Sequence, residues 1–189
     1  MGRRIMNVIF ITGNQRKADF MAKYLNYPID HRKLDLNEIQ SLDVHVVIEH
    51  KVRQAYKVVK NPVLVEDIGL YFNAMGRLPG VLIRWFLEEI GNDGLCRLLD
   101  VYDDRSAVAK VCYAYYDGSL LKIFDGEVAG RISDTPKGDD GFGWNCVFIP
   151  DGSNKTYAEM DGEETDKFSL RTTTVYPTIK EFLSELDKK

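Results

Sequence analysis

The feature that most constrains the fold is a strand, turn and helix pattern at the start of the 189-residue chain. Residues 5–11 are largely apolar and rich in β-branched side chains, Thr12-Gly13-Asn14 interrupts them, and residues from about 16 to 25 have helical periodicity. This order opens an α/β unit. Because the apolar run is short and leads directly into a glycine turn, it predicts a first strand rather than a signal peptide.

A helix and a short strand are predicted next. Helical periodicity extends over residues 44–60, and Asn61-Pro62 ends it. The apolar stripe of this helix consists of Val47, Ile48, Val52, Ala55, Val58 and Val59. Residues 63–65 predict a short buried strand that ends in two adjacent acids, Glu66 and Asp67.

The second half of the chain predicts helices, a hairpin and a last strand. Helices are expected at about 82–89 and 93–99, and the final helix is expected to start near Pro177. Two long strands, 107–116 and 120–132, are joined at Asp117-Gly118, which is a hairpin signal, and a further strand is expected at 146–149. The mixture of strand–helix units with a hairpin predicts the α/β class with a mixed sheet. The length predicts a single domain over residues 1–189, or one with two lobes.

Composition narrows the class of partner. The net charge of −4 argues against nucleic acid as the main partner, since nucleic-acid-binding domains usually carry a basic excess. Cys96, Cys112 and Cys146 have neither a disulfide-framework pattern nor zinc spacing, so they predict buried, reduced thiols in a cytoplasmic protein. No apolar stretch approaches the ~20 residues that span a bilayer, so no membrane partner is expected.

The segment TGNQRK at 12–17 is a candidate phosphate site. A glycine turn after a strand leaves backbone N–H groups free at a helix start, where they favour an anion. Thr12 and Asn14 lie in this turn, and Lys17 could add a charge-assisted contact. The alternative is a simple strand-to-helix turn in which Asn14 caps the helix.

The segment VEDIG at 65–69 is a candidate catalytic site. Adjacent carboxylates at a buried strand are costly unless they are paired or coordinate a cation. Neighbouring strand residues face opposite sides, so Glu66 and Asp67 are expected to play different parts, one as a Mg²⁺ ligand and the other orienting or deprotonating a water. Glu38 is a third candidate carboxylate and Lys51 a candidate cation. A solvated strand-to-turn junction is the alternative.

Two further segments carry aromatic residues. In GRLPGVLIRWF at 76–86, Arg84 could clamp phosphate oxygens in a bidentate way, and we expect Trp85 and Phe86 to lie in the core. In GFGWN at 141–145, flanking glycines let another molecule approach Phe142 and Trp144, and an aromatic ring there could stack on a planar base. The alternative is that both rings cap the core.

Taken together and in this order, five segments resemble the inosine triphosphate pyrophosphatase family: FITGNQRK, VLVEDIGLYFNAMGRLPGVLIRWFL, GFGWN, FIPDGSNKTYAEM and FSLR. The resemblance covers nearly the whole chain. It implies an elongated α/β fold, with a mixed sheet, helices and two lobes around a central cleft, in a protein that is commonly a homodimer. It also implies hydrolysis of non-canonical purine nucleoside triphosphates such as ITP, dITP and XTP to the monophosphate and pyrophosphate. The implied cofactor is Mg²⁺, with Mn²⁺ as the alternative.

The resemblance assigns roles by position. Asp67 and Glu66 match catalytic positions, and Glu38, Glu66 and Asp67 match metal-side positions, with the division between Glu66 and Asp67 left open. The phosphate-side positions are Thr12, Asn14, Lys17, Lys51 and Arg84, the last of which stands where the family often has lysine. The base-side positions are Phe142, Trp144, Asn145, Ser169, Arg171 and Lys167.

The base half of the pattern departs from the family. The family usually reads GFGWDP, where this chain has GFGWNC, and KNxxSHR, where this chain has residues 165–171. Asn145 therefore replaces an acid, Thr165 a lysine and Leu170 a histidine. An amide both donates and accepts hydrogen bonds, whereas leucine does neither, so shifted or relaxed base preference is expected. Arg171 is expected on an extended stretch. The alternatives are a nucleotide-binding module with degraded activity and a pyrophosphatase for other modified nucleotides.

Overall fold

The structure is a computed structural model that describes residues 7–27, 29–139 and 142–188, with the Arg16 side chain left out. Residues 5 and 6 of the predicted first strand and Gly141 of the aromatic motif lie outside the described residues. The strands are β1 Val8–Ile11, β2 Ile29–Arg32, β3 Val63–Phe72, β4 Pro79–Gly80, β5 Ser106–Tyr116, β6 Leu121–Ile132 and β7 Phe148–Pro150. The helices are α1 Gln15–Leu25, α2 Val44–Val59, α3 Ile83–Arg97, α4 Gly162–Phe168 and α5 Tyr176–Leu186.

The strands form one mixed sheet in the order β2-β1-β3-β5-β6-β7, with β4 on β3. Strand β1 pairs in parallel with β2 and β3, whereas β4 pairs antiparallel with β3 and β7 antiparallel with β6. The predicted α/β class and mixed sheet are therefore confirmed. Across the described residues, no helix combines the length and apolar character needed to cross a membrane.

The chain divides into two compact units, and the first comprises the described parts of residues 1–67, 111–126 and 171–189. On one face of its strands, α2 buries Ile48 and Val52 against Val63 and Val65. The other face carries aromatic residues of β1, β5, α1 and α5, with ring centroids 5.2–6.1 Å apart: Phe10, Tyr24, Tyr113 and Tyr176. The first unit thus has helices on both faces of its sheet.

Capping residues define the start of α1 and both ends of α2. Asn14 caps α1, its side chain accepting from the Lys17 N–H at 3.2 Å. Helix α2 begins after Asp43, whose carboxylate accepts from the His45 N–H, and ends at Lys60 in the left-handed region with φ 59°. The predicted bounds of α2 are confirmed, but Val58 is 55% exposed, so its place in the predicted apolar stripe was wrong.

The second unit comprises residues 68–110 and the described parts of 127–170. Helix α3 is interrupted at Gly91, with φ 63° and ψ −174°, which matches the prediction of two helices there. The predicted hairpin is also confirmed, since β5 and β6 are neighbours in the sheet and residues 117–120, which belong to the first unit, connect them. Arg105 ties the end of α3 to the end of β6, since its guanidinium donates to the carbonyls of Cys96, Ile132 and Ser133.

Several predicted bounds were wrong. Strand β3 runs on to Phe72 instead of ending at residue 65, so Glu66 and Asp67 lie inside a strand. Trp85, expected in the core, is 51% exposed, because it lies in the first turn of α3 beside the exposed Arg84. Strands β2 and β4 and helix α4 were not predicted, and β7 begins two residues later than expected.

The segment around Arg171 also differs from the prediction. Residues Arg171–Val175 form a π-helical turn, not an extended stretch, and lead directly into α5. Pro177 lies in the first turn of α5, where its missing N–H would have no helical partner in any case. The prediction that the last helix starts near Pro177 is confirmed.

Candidate active site

Glu66 lies in the middle of β3, and its carboxylate is surrounded by donors. Lys17 Nζ donates to Oε1 at 2.7 Å, and Arg171 donates through Nη2 to Oε1 at 3.0 Å and through Nε to Oε2 at 2.8 Å. The Tyr113 hydroxyl donates to Oε2. The Glu66 side chain is only 6% exposed. A carboxylate offers about four lone-pair sites, so these four hydrogen bonds occupy them all.

The electrostatics keep Glu66 ionised. Burial alone would raise the pKa of Glu66, but Arg171 and Lys17 outweigh it and hold the pKa well below the ordinary carboxyl value. Burial and the neighbouring Glu66 raise the pKa of the Tyr113 phenol, so this hydroxyl stays protonated as a donor. For Arg171, burial would lower the pKa, but Glu66 raises it further above its ordinary value. The group is therefore a buried carboxylate with two charged partners and one neutral donor.

Asp67 belongs to the opposite face of β3. Lys51 of α2 donates to Asp67 Oδ2 at 3.0 Å and to Glu38 Oε1 at 3.2 Å. Burial would lower the pKa of Lys51, but Asp67 and Glu38 raise it, so the ammonium remains charged. Asp67 thus contacts α2, whereas Glu66 contacts α1 and the Arg171 turn, which confirms that the two acids face opposite sides.

The turn after β1 has the geometry of a helix cap. Asn14 Oδ1 accepts from the Lys17 N–H, and the Asn14 N–H donates to Thr12 Oγ1 at 3.1 Å. This is the capping arrangement that the simpler interpretation predicted. The backbone N–H groups of the first turn of α1 nevertheless lie on the same turn as Lys17, whose ammonium reaches Glu66. A phosphate role for Thr12, Asn14 and Lys17 stays a prediction.

The first unit brings together six of the predicted residues as two charge clusters: Lys17 and Arg171 with Glu66, and Lys51 with Glu38 and Asp67. Three carboxylates are therefore matched by three cations. The buried members of these clusters, Glu66 above all, are tolerated because they are paired and hydrogen-bonded. Arg171, predicted on the base side, belongs to the carboxylate cluster in this structure.

Arg84, the remaining phosphate-side candidate, belongs to the second unit. It lies in the first turn of α3, where Nε is 3.3 Å from Glu88 Oε1 and the guanidinium lies over the Trp85 ring at 4.6 Å. Both members of this ion pair are more than half exposed. The pair is a surface contact of the kind that contributes little to stability, which leaves the arginine accessible to an anion.

The aromatic motif of the second unit has one buried and one exposed ring. Trp144 is 7% exposed and meets Phe148 edge-on at 5.6 Å and Tyr157 at 6.3 Å. Phe142 is 49% exposed. Asn145 is half-buried, and its main-chain carbonyl accepts from the Ala158 N–H at 3.1 Å. Trp144 thus packs as a core residue does, and Phe142 carries the accessible ring.

The remaining base-side candidates cluster around the end of α4. Ser169 is the C-cap residue of this helix, and Lys167 lies in its last turn with Nζ 5.5 Å from the Phe168 ring centroid. Leu170 is buried, at 4% exposure. The Tyr157 hydroxyl donates to the Phe168 carbonyl at 2.8 Å and so fixes this end of the helix.

Sequence reasoning missed Tyr113 and Tyr176. Tyr113 donates to Glu66, and the two hydroxyls lie 3.4 Å apart. Burial raises the pKa of Tyr176 to about 12, so it too remains neutral. The alternation of Tyr113 and Tyr115 along β5 signals two aromatic residues on one strand face, but nothing local indicates that this face holds a carboxylate.

The chain is similar to proteins of one family over most of its length. The model of the Ham1 family matches residues 8–179. The chain is similar to inosine triphosphate pyrophosphatase 2 of Trypanosoma cruzi (strain CL Brener), with 42% identity over 168 residues, 87% of this chain and 86% of that protein. It is also similar to the inosine triphosphate pyrophosphatase of Schizosaccharomyces pombe, with 39% identity over 171 residues, 88% of this chain and 90% of that protein.

Two solved structures share the fold. The Ham1 protein of Staphylococcus aureus superposes with a TM-score of 0.82 at 23% identity, covering 95% of this chain and 99% of that one. A HAM1 protein from Coxiella burnetii superposes with a TM-score of 0.83 at 24% identity, with the same coverage of both chains. At this level of identity the likeness concerns the fold alone.

Proposed function

The chain belongs to the Ham1 family, and from this premise we propose that it is a hydrolase of non-canonical purine nucleoside triphosphates. The substrates would be ITP, dITP and XTP, and the products the monophosphate and pyrophosphate. Relatives at 42% and 39% identity over most of their length carry the name inosine triphosphate pyrophosphatase, which supports this proposal. The observation that carries it is a set of three cations, Lys17, Lys51 and Arg171. Each forms an ion pair with a carboxylate of the same unit, which keeps the cation charged and fixes its orientation.

Phosphate recognition follows from this charge balance. Lys17 and Lys51 would exchange their carboxylate partners for phosphate oxygens, which are also strong charge-assisted acceptors. Thr12 and Asn14 would place the N–H groups of the α1 start beside the same oxygens. Arg84, in the second unit, is a separate candidate for a planar, bidentate contact to phosphate. When Lys51 turns to phosphate, Asp67 loses its contact with this cation, and a largely buried carboxylate is costly in that state.

A divalent cation would restore the balance. Glu38 and Asp67 fit Mg²⁺ or Mn²⁺, since both supply hard oxygen ligands and share one exchangeable partner, Lys51. Glu66 fits less well as arranged, because all four of its lone-pair sites accept hydrogen bonds. When bound, the ion would neutralise triphosphate charge and polarise the bond to the departing pyrophosphate.

The two acids of β3 would then divide the work. Asp67 would orient and deprotonate the water that attacks the α-phosphorus. Glu66 would hold Arg171 in place from the opposite face and act by positioning. This division would settle the two roles that the family resemblance left open between these residues.

The base would be read by residues of the second unit. Phe142 offers an accessible ring for stacking, and the buried Trp144 would hold the motif in place by packing in the core of the unit. Asn145, Ser169 and Lys167 would supply hydrogen bonds. Since Asn145 both donates and accepts where an acid only accepts, the preference for 6-keto purines would be relaxed.

The test is a substrate panel. Purified protein with Mg²⁺ would be mixed with inosine, xanthosine, guanosine, adenosine and pyrimidine triphosphates, each in ribo and deoxy form, and pyrophosphate and orthophosphate would be measured separately. Pyrophosphate release that is fastest with inosine or xanthosine nucleotides supports the proposal. Fastest release from another base favours a pyrophosphatase for other modified nucleotides. Tight nucleotide binding without any pyrophosphate favours a binding module instead.

Three properties of the whole chain are part of the same proposal. Residues 1–189 would act as a single functional domain built from the two compact units, and two copies would form a homodimer. The three cysteines are buried and reduced, which is compatible with a cytoplasmic, reducing location. Sedimentation equilibrium would test the dimer, since a monomer mass of 21.6 kDa at micromolar concentration would refute it.

A further inference from the structure

We propose that His45, Cys112 and Asp125 form a second metal site, separate from the carboxylates of the candidate active site, that binds Zn²⁺ or a similar borderline-soft divalent cation. The three residues come from the first turn of α2, the middle of β5 and the first half of β6. All three belong to the first unit. Their ligand atoms, a ring nitrogen, a thiol sulfur and a carboxylate oxygen, lie within 4.8 Å of one another. Among the described residues, this is the one group of three or more potential ligands that converges in this way.

The spacing fits a metal that is held by three protein ligands. Zinc lies about 2.0–2.3 Å from nitrogen, oxygen and sulfur ligands, so two ligands of one tetrahedral ion are separated by roughly 3.3–3.8 Å. In the structure His45 Nε2 lies 2.8 Å from Asp125 Oδ1. A rotation of these two exposed side chains opens that contact by the small distance that the ion requires, because neither side chain is held by packing.

The three proposed ligands differ in burial: one is buried and two are exposed to solvent. Cys112 is 1% exposed and packs among the residues beneath α2, whereas the His45 and Asp125 side chains are 53% and 56% exposed. The ion would therefore be reached from solvent and would keep an open fourth position for water. Asp43, which caps α2 by accepting from the His45 N–H at 2.9 Å, adds negative charge near the thiol.

The ligand types select the ion. An imidazole, a thiol and one carboxylate suit Zn²⁺, whereas Mg²⁺ requires hard oxygen ligands. Without an ion, burial and the neighbouring Asp125 raise the pKa of the Cys112 thiol, so it stays protonated beside that carboxylate. Metal binding would displace this proton and tie the start of α2 to β5 and β6. Helix α2 also carries Lys51, so the ion would fix the helix that supplies this cation.

Cobalt titration of the full chain tests the proposal, since Co²⁺ bound to a thiolate has a charge-transfer absorption band in the near ultraviolet. Chelator-treated protein would be titrated in excess Mg²⁺, which occupies sites made of oxygen ligands. We expect a band that saturates at one Co²⁺ per chain and that added Zn²⁺ removes. A titration with no thiolate band, or with a band that Zn²⁺ leaves unchanged, overturns the proposal.

Variants identify the ligands. We expect Cys112→Ala to lose the band and Cys96→Ala, which replaces another buried thiol, to keep it. His45→Gln and Asp125→Asn are surface changes that leave the fold intact, and each should weaken Co²⁺ and Zn²⁺ binding by more than about tenfold. His31→Gln, on exposed β2, is the matched histidine control and should bind as the unmodified protein does. Unchanged affinity in His45→Gln and Asp125→Asn, or a band retained in Cys112→Ala, overturns the assignment.

Discussion

Arg171 and Glu66 lie 105 positions apart in the chain, yet the Arg171 guanidinium holds both oxygens of the Glu66 carboxylate, at 2.8 and 3.0 Å. Strand β3 supplies the glutamate, and the π-helical turn before α5 supplies the arginine. Lys17 and Tyr113 complete the coordination of the carboxylate. The C-terminal segment is thereby fixed to the central strand, which makes Glu66 important for stability as well as for the proposed function.

Glu66→Gln should destabilise the protein in a pH-dependent way. Removal of one partner from a buried ion pair costs about 3–5 kcal/mol, because Arg171 and Lys17 lose their counter-charge. The pKa of Glu66 is lowered on folding, so its contribution is present above the ordinary carboxyl value of 4.5 and falls as the pH drops below it. Urea denaturation from pH 7 to pH 3 would measure the difference from the unmodified protein, which should be largest at pH 7.

The exposed Glu127, paired with Lys110, supplies the control for this change. Glu127→Gln should change the free energy of unfolding by less than about 1 kcal/mol at any pH, since surface ion pairs contribute little. A Glu66→Gln deficit that is the same at pH 3 as at pH 7 would contradict the lowered pKa.

Tyr113→Phe tests the neutral donor to Glu66. The change removes only the hydroxyl, and hydrogen bonds to charged groups contribute about 1.5–3 kcal/mol. We expect a loss of that size in the free energy of unfolding. Tyr115→Phe is the matched control on the same strand, because the Tyr115 hydroxyl reaches Asp117 at 3.4 Å, a long hydrogen bond that should be worth less. Equal losses in both variants would show that the Tyr113 hydroxyl has no special role.

Asp67→Asn should abolish most turnover. Loss of a general base typically lowers the rate by about 10²–10⁴-fold, whereas the amide keeps the volume and a hydrogen-bond acceptor for Lys51. Pyrophosphate release from ITP would be measured together with the thermal unfolding midpoint, to separate chemistry from folding. Asp134→Asn, at a position whose side chain is 91% exposed, should retain full activity. An Asp67→Asn protein with near-normal kcat would exclude Asp67 as the base.

Asn145→Asp should sharpen the choice of base. The change restores an acceptor-only group, and Asn145 is half-buried, so the charge can remain solvated. We expect the ratio of kcat/KM for ITP over GTP or ATP to rise by about tenfold or more, with kcat for ITP little changed. Asn61→Asp, an exposed position after α2, adds the same charge and should leave the ratio unchanged. An unchanged ratio in both variants would remove Asn145 from base recognition.

The local sequence predicted those elements whose signals lie within a few residues. Asn14 caps α1, Asn61-Pro62 follows the end of α2, and Asp117-Gly118 joins β5 to β6, all as predicted. Each depends on backbone geometry that one or two residues favour: a side-chain cap, a proline or a turn glycine. The opposite faces of Glu66 and Asp67 follow in the same way from strand alternation.

Non-local contacts account for what the sequence analysis missed. Strand β3 extends to Phe72 because β4 pairs with its second half. Strand β4 has only two residues, which is too short to give a recognisable strand pattern in the sequence. Trp85 is exposed although most residues around it in the sequence are apolar, since the orientation of α3 decides which of its faces is buried.

The sequence alone determined the class of the fold, the strand–helix order and the set of charged residues that a phosphate site would need. Only the tertiary structure decided how those charges pair, because Glu66, Lys17, Tyr113 and Arg171 come from four separate segments. Periodicity and turn signals report the local backbone, whereas an ion pair depends on where distant segments pack. That packing is set by the whole buried core, and no short stretch of the chain encodes it.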